Sequence, residues 1–208
     1  MSEIVILERD RKIIREIDRW RVVQGRHIRE MAGFSGQRAC DRRLRKLIDA
    51  GYLRREKILY GVAGIYRNTI KATKKEVLPD GNNRKTRIEQ IKHDIMVLDT
   101  AIFFKERHGV EYDSMTTEIE LHRQDGFGVR KHRPDFVFEK NGKLICVEVE
   151  LALKSKDRFT RNIHDNFLTY DTQIWVVPDM KSKIAMFLAE RRTEYPNIEI
   201  LEVSAVKI

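Results

Sequence analysis

Pro134-Asp135-Phe136-Val137-Phe138-Glu139-Lys140-Asn141-Gly142-Lys143-Leu144-Ile145-Cys146-Val147-Glu148-Val149-Glu150-Leu151-Ala152-Leu153-Lys154 is the stretch on which the fold of this chain turns. Asn141-Gly142 stands between two apolar runs, and Asn-Gly is the strongest two-residue hairpin signal because both positions tolerate positive φ. The spacing predicts paired antiparallel strands over 134–140 and 143–151. Side chains alternate between the two faces of a strand. Asp135 and Val137 therefore share a face of the first strand, and Ile145, Val147 and Val149 share a face of the second. Glu148 and Glu150 fall together on the opposite face. Two acidic residues in an otherwise apolar strand are expensive to bury unless something neutralises them. A divalent cation would do so, since carboxylate oxygens are the natural ligands of magnesium.

Pro-Asp, a hairpin and then Glu-x-Glu resembles the active-site core of the PD-(D/E)xK nuclease superfamily. The longer pattern is His132-Arg133-Pro134-Asp135 followed by Val147 to Ser155. It more narrowly resembles the replication-relaxation family and the related MobC-type plasmid mobilisation relaxases. The superfamily usually has Lys where this chain has Glu150, and the narrower family commonly has Gly where this chain has Phe136. The resemblance spans roughly residues 86–180.

Composition sets the outer bounds. A chain of 208 residues suits one medium domain or two small ones. No apolar run of about 18 residues occurs, so no membrane span is expected. The opening Met-Ser-Glu-Ile-Val lacks the basic-then-apolar signal-peptide pattern. Cys40 and Cys146 sit in apolar settings and read as buried free thiols of a cytoplasmic protein. The net charge of +9 is unevenly spread: residues 1–80 hold 20 Lys/Arg against 11 Asp/Glu, residues 81–208 hold 21 against 21. That is the footprint of a nucleic-acid-binding module joined to a neutral one.

In the basic half, Ile13, Ile14, Ile17 and Trp20 recur at helical spacing over 8–23. A short helix is predicted over 25–31, then a turn at 32–36, then a helix over about 36–50. This last helix buries Ala39 or Cys40, Leu44, Leu47 and Ile48, and Gly51 is placed to end it. Strand-like pieces at 52–60 and 65–70 flank Gly61-Val62-Ala63-Gly64. Helix, helix, turn, helix, hairpin resembles the winged helix-turn-helix plan over roughly 8–75. The resemblance implies that the third helix enters the major groove. Gln37, Arg38 and Arg42 are then the base-reading candidates, with Arg45 beside them, since Arg pairs guanine and Gln pairs adenine. Arg54, Arg55, Lys57 and Arg67 on the wing would grip phosphates. The same charges also suit a solvated helix face or a protein-binding winged helix.

Residues 71–84 are polar and carry Pro79, Gly81 and paired Asn, a boundary signature. Ile88, Ile91, Ile95, Leu98 and Ile102 then stripe a long helix over about 85–107 that packs on a sheet or supports a homodimer. The narrower family has a His in this helix, which marks His93 for a metal or phosphate role beside the alternative of a structural histidine. Thr116 to Arg123 alternates as a strand, with Ile119 and Leu121 on one face and Glu118 and Glu120 on the other. The family's acidic residue here matches Glu118, a third carboxylate candidate or a solvent-facing glutamate. Arg130-Lys131-His132-Arg133 reads as a phosphate clamp or a solvated loop, with Arg133 as an accessory residue. A helix over 155–170 with Phe159, Ile163 and Phe167 on one apolar face, a strand over 173–177, a helix over 181–192 and a strand over 198–206 complete the chain.

The expected fold class is α+β: a winged helix-turn-helix over 1–75, a linker over 76–85, and a mixed-sheet PD-(D/E)xK nuclease-like domain over 86–208. The resemblance implies a catalytic set of Asp135, Glu148, Glu150 and Lys154. Asp135, Glu148 and Glu118 would hold Mg²⁺ or Mn²⁺, and Glu150 would hold the metal or its water, or act as general base. Lys154 would reach back from just past the strand to donate to the phosphate or orient the nucleophile. No Walker loop, dinucleotide-binding glycine pattern, His-Glu-x-x-His or zinc-finger spacing occurs. Two classes stay open: a metal-dependent DNA endonuclease or nickase of a plasmid or phage, and a non-cutting DNA-binding accessory protein at an origin. A transcriptional repressor is a third. Double-stranded DNA is the expected partner, with a homodimer and other relaxosome or replication proteins as further candidates.

Overall fold

The computed structural model describes residues 4–58, 60–74, 88–126, 128, 131–152 and 155–206. The fold is mixed α+β and parts into two compact units, Met1–Leu98 and Asp99–Ile208. The predicted linker at 76–85 lies outside the described residues.

The first unit runs α1 (Glu8–Trp20), β1 (Val23–Gln24), α2 (Gly25–Met31), α3 (Gln37–Asp49), β2 (Leu53–Glu56), β3 (Ile65–Asn68) and α4 (Ile70–Lys74). Its three strands form an antiparallel sheet ordered β1-β3-β2. Ile13, Ile14, Ile17 and Trp20 of α1 are buried, as are Cys40, Leu44 and Leu47 of α3. Each such side chain contributes about 1.5–3 kcal/mol by leaving water. Gly51 ends α3 as its spacing predicts, at φ +76°. Around it Tyr52 N donates to Leu47 O and Gly51 N to Ile48 O, at 2.9 and 2.8 Å. This left-handed stop is one that glycine adopts without steric penalty.

Three charged residues of α1 go inside. Asp10 is 0% exposed and accepts from Arg43, whose Nε lies 2.7 Å from Oδ1. Glu16, 1% exposed, accepts from Arg19 at 3.0 Å and from the Trp20 indole at 2.9 Å. These pairings supply the hydrogen bonds that buried charges require.

Helix α5 (Ile88–His108) carries the division between the units. In the first unit Ile91 packs with Val22 and Ile65, with Ile95 against them, while Ile88 is exposed.

In the second unit a 3-10 turn (Tyr112–Ser114) leads to β4 (Thr116–Thr117), α6 (Glu118–Asp125), β5 (Phe136–Lys140), β6 (Lys143–Val149), α7 (Lys156–Thr169), β7 (Thr172–Val177), α8 (Lys183–Arg191), β8 (Ile198–Glu202) and α9 (Val203–Val206). The sheet is ordered β4-β5-β6-β7-β8, antiparallel up to β6 and parallel from β6 to β8. Asn141 and Gly142 take φ of 53° and 71°, the paired positive values that a tight hairpin demands. The Phe104 ring of α5 packs on Phe136 and Phe138, at 6.2 and 5.2 Å between centroids. The opposite face buries Trp175 and Val177 with Phe159 and Ile163 of α7 and Ile184, Ala185 and Leu188 of α8. Val137 and Cys146 share a further cluster with Leu121 of α6 and Tyr170.

Two expectations are corrected. The strand predicted over 116–123 stops after two residues, and Glu118 begins α6 instead. Thr117 caps that helix, and the Glu120 carboxylate reaches back to the Thr117 N–H at 2.8 Å. This reciprocal capping box overrides the alternation of Ile119 and Leu121. The last strand also ends early, at Glu202, where α9 begins.

Candidate functional site

The ladder between β5 and β6 pairs Phe136 with Val147, so the next step places Asp135 opposite Glu148. Directly opposed residues on antiparallel strands share a face. The two carboxylates therefore stand side by side on the face that α6, α7 and α8 cover. Asp135 Oδ2 accepts from the Val149 N–H at 2.7 Å, which ties the residue across to β6. Glu148, 8% exposed, turns Oε1 to two donors: His132 Nε2 at 2.6 Å and Asn166 Nδ2 at 2.9 Å.

Burial pushes the Glu148 carboxyl above its ordinary range; the His132 hydrogen bond and charge pull it back, and the charge of Asp135 pushes it up again. Burial alone would lower His132, but Glu148, with Asp135 and Asp165 adding, holds it above its ordinary value. The result is a compact arrangement of two carboxylates, an imidazole and an amide drawn from the segment before β5, from β6 and from α7.

Glu118 approaches through its backbone: its N–H donates to the Asp135 carbonyl at 2.9 Å. Its carboxylate lies 3.7 Å from His122 Nε2, one turn along α6. Glu150 stands just beyond β6, half-buried, with its N–H on Val176 O at 2.9 Å. Lys154 lies outside the described residues. Arg133 is held by Asp125, with Nε at 2.8 Å from Oδ2. That bond keeps Asp125 below the ordinary carboxylate range. His93 belongs to the first unit, where its Nδ1 lies 3.2 Å from Asp94.

Asn166 is absent from the residues that the sequence marks out, whereas His132 stands among them, in the His132-Arg133-Pro134-Asp135 pattern and in the run from Arg130 to Arg133. Asn166 had a signal: it continues the apolar stripe of Phe159 and Ile163 at helical spacing, and a polar residue there needs a buried partner. For His132 the motif gives the position and the structure adds the partner, Glu148.

Among the described residues, no group of three or more His, Cys, Asp or Glu side chains is arranged to hold a metal ion. The Asp135–Glu148 pair still fits a hard divalent cation chemically. Magnesium is commonly held by one or two carboxylates, with water and substrate phosphate completing its shell. The mutual repulsion of the two carboxylates is what such a charge would relieve.

In the first unit, α3 exposes Gln37, Arg38, Arg42 and Arg45. Gln37 Nε2 donates to Asp41 at 2.8 Å. Arg43, on the same helix, is turned inward to Asp10. Arg54, Arg55 and Lys57 are exposed along β2 and just past it. Arg54 reaches Glu56 at 2.9 Å, and Arg55 lies 5.9 Å from the Tyr66 ring. Arg67 departs from the wing-surface expectation. It is 8% exposed with its Nε on Glu56 at 2.9 Å, because its place in the central strand β3 turns it into the sheet's own ion pair.

Compared with protein-family models, with curated proteins and with solved structures, the chain matches none.

Proposed function

We propose that the chain is a DNA-processing protein of a mobile element, a metal-dependent endonuclease or nickase whose first unit is a winged helix-turn-helix and whose second is PD-(D/E)xK-like. The observation that carries this reading is the register that sets Asp135 against Glu148 at the end of the β5–β6 hairpin. The order α1-β1-α2-α3-β2-β3, with the exposed Gln37, Arg38, Arg42 and Arg45 of α3, supports the DNA-binding part. A duplex would lie against α3, whose exposed arginines would neutralise phosphates and read base edges.

Asp135 and Glu148 would hold Mg²⁺ or Mn²⁺. When bound, the cation polarises the scissile phosphate and lowers the pKa of attacking water. The chain's own residues do the positioning. Val149 N–H fixes the Asp135 carboxylate, and His132 and Asn166 fix Glu148 through Oε1. Glu150 would orient or deprotonate the nucleophilic water, and Lys154 would donate to the phosphate. Arg133 is the accessory cation, held in place by Asp125.

One observation favours a second reading. His132 and Asn166 already compensate the Glu148 charge, so the acidic pair is stable as it stands, as in a non-cutting accessory protein acting at an origin.

Nicking of a supercoiled plasmid carrying the neighbouring genomic DNA separates the two. Wild type, Asp135→Ala and Glu148→Ala are run with Mg²⁺, Mn²⁺ or EDTA. The endonuclease reading expects metal-dependent nicking that both substitutions abolish. Binding without cleavage under every metal condition establishes the accessory reading instead.

A further inference from the structure

The second unit carries a basic surface that the acidic site does not use. The first two turns of α7 expose Lys156, Arg158 and Arg161, set against one acid, Asp157. None of the three cations has an acidic partner among the described residues. Elsewhere in the chain many cations are paired: Arg19 with Glu16, Arg43 with Asp10, Arg67 with Glu56, Arg133 with Asp125.

Their position also opposes helix electrostatics. The N-terminus of a helix bears partial positive charge, so cations in the first turn are disfavoured there. Lys156 and Arg158 sit in that turn, directly after the Ser155 cap. Stability alone does not explain two cations at the end of a helix that prefers anions. A bound polyanion does.

Topology puts this surface on the acidic pair's face of the sheet, further out along α7. Helix α7 connects β6 to β7, which run parallel, so its N-terminal end lies at the carboxyl edge of those strands, where Glu148 ends up. In parallel α/β arrangements that edge is where ligands bind. Asn166 fixes the rotation of the helix, because it reaches Glu148 at 2.9 Å. Half-buried Asn162 follows on the same side one turn earlier, and Arg158 one turn before that. At about 1.5 Å per residue, Arg158 lies about 12 Å along the axis from Asn166. That is about three to four nucleotide steps at ~3.4 Å each.

The geometry points to a second nucleic-acid contact on the first two turns of α7, where Lys156, Arg158 and Arg161 grip the phosphate backbone about three to four nucleotides from the acidic pair. This rests on the nucleic-acid reading above and adds to it a contact outside the first unit.

The test is the salt dependence of binding by the full chain in EDTA, so that cleavage plays no part. Fluorescence anisotropy of a labelled 30-base-pair duplex and of the single strand is followed across a KCl series. Wild type is compared with Lys156→Ala/Arg158→Ala/Arg161→Ala and with Lys140→Ala/Lys143→Ala, which neutralises the hairpin at the other end of β6. Alanine at exposed helix positions preserves the helix. Each lost phosphate contact removes about 0.9 from the slope of log K against log [salt], so the triple α7 variant should lose about 2 to 3 and the hairpin variant none. Wild-type binding with an unchanged slope in the α7 variant overturns this contact and leaves the DNA-processing reading standing. An equal loss in the hairpin variant also overturns it, since the contact would then be unlocalised. Absence of binding by the wild type to either probe overturns both.

Discussion

Replacing Asn166 by alanine tests whether the acidic pair is held by the network that surrounds it. Asn166 is 1% exposed and gives its amide to Glu148 Oε1 at 2.9 Å. A hydrogen bond to a charged group contributes about 1.5–3 kcal/mol net, and its loss leaves Glu148 more poorly solvated inside the sheet. Alanine is a better helix former than asparagine and returns about 0.5 kcal/mol. The net destabilisation of the second unit should therefore be about 1–2.5 kcal/mol, or about 5- to 60-fold in an opening equilibrium. Hydrogen exchange read by mass spectrometry on peptides covering β6 and β7 reports that opening within the unit itself. Asn162→Ala is the control: Asn162 is half-buried, has no bonded partner among the described residues, and gains the same helix propensity. The expected result is exchange of the β6 and β7 amides about 5- to 60-fold faster in Asn166→Ala than in wild type, with no acceleration in the control. Equal exchange in the two variants would refute the reasoning, because His132 alone would then satisfy Glu148.

Three further outcomes follow from the geometry. Cys40 and Cys146 are both 0% exposed, and burial lifts the Cys40 thiol to about 11, so neither should react with a disulfide reagent at neutral pH until denaturant is added. Gly142→Ala forces a Cβ into the left-handed region at φ 71° and should lower the stability of the second unit by about 1–2 kcal/mol, measured by urea unfolding. The Arg133 hydrogen bond depresses Asp125, so this pair stabilises the fold above the ordinary carboxylate pKa and is lost as pH falls through the depressed value. Asp125→Asn should accordingly flatten the acid limb of a stability-versus-pH curve; an unchanged limb would remove the pair from the account.

The elements that could be read from the sequence were those specified locally. Asn141-Gly142 fixed the hairpin because few residue pairs accept two positive φ values in succession. The stripe of Phe159, Ile163 and Phe167 marks α7, although only the first two are buried and Phe167 is exposed, and Gly51 marks the end of α3. At α6 two local signals compete over the same residues. Ile119 and Leu121 alternate as in a strand, yet Thr117 and Glu120 form a capping box, and the saturated N-terminus won. Of the acidic site, the opposition of Asp135 and Glu148 was legible once the hairpin was placed. Its supports were not, since His132 and Asn166 lie 16 and 18 residues from Glu148 in the chain. The inward turn of Arg43 has the same cause: its partner Asp10 is 33 residues away, and no periodicity within α3 distinguishes it from the exposed Arg42.

The brevity of β4 has a consequence for how the protein meets other copies of itself. It is an outer strand of its sheet, and an outer strand exposes unpaired amides and carbonyls that can template association with a foreign strand. Here the ladder offers only Thr116 and Thr117 before the backbone winds into α6, where the Thr117–Glu120 exchange consumes the first free N–H groups. A strand approaching from that side would find a purchase of two residues and then a capped helix. The same segment that ends the sheet early thereby guards that side against runaway edge-to-edge aggregation.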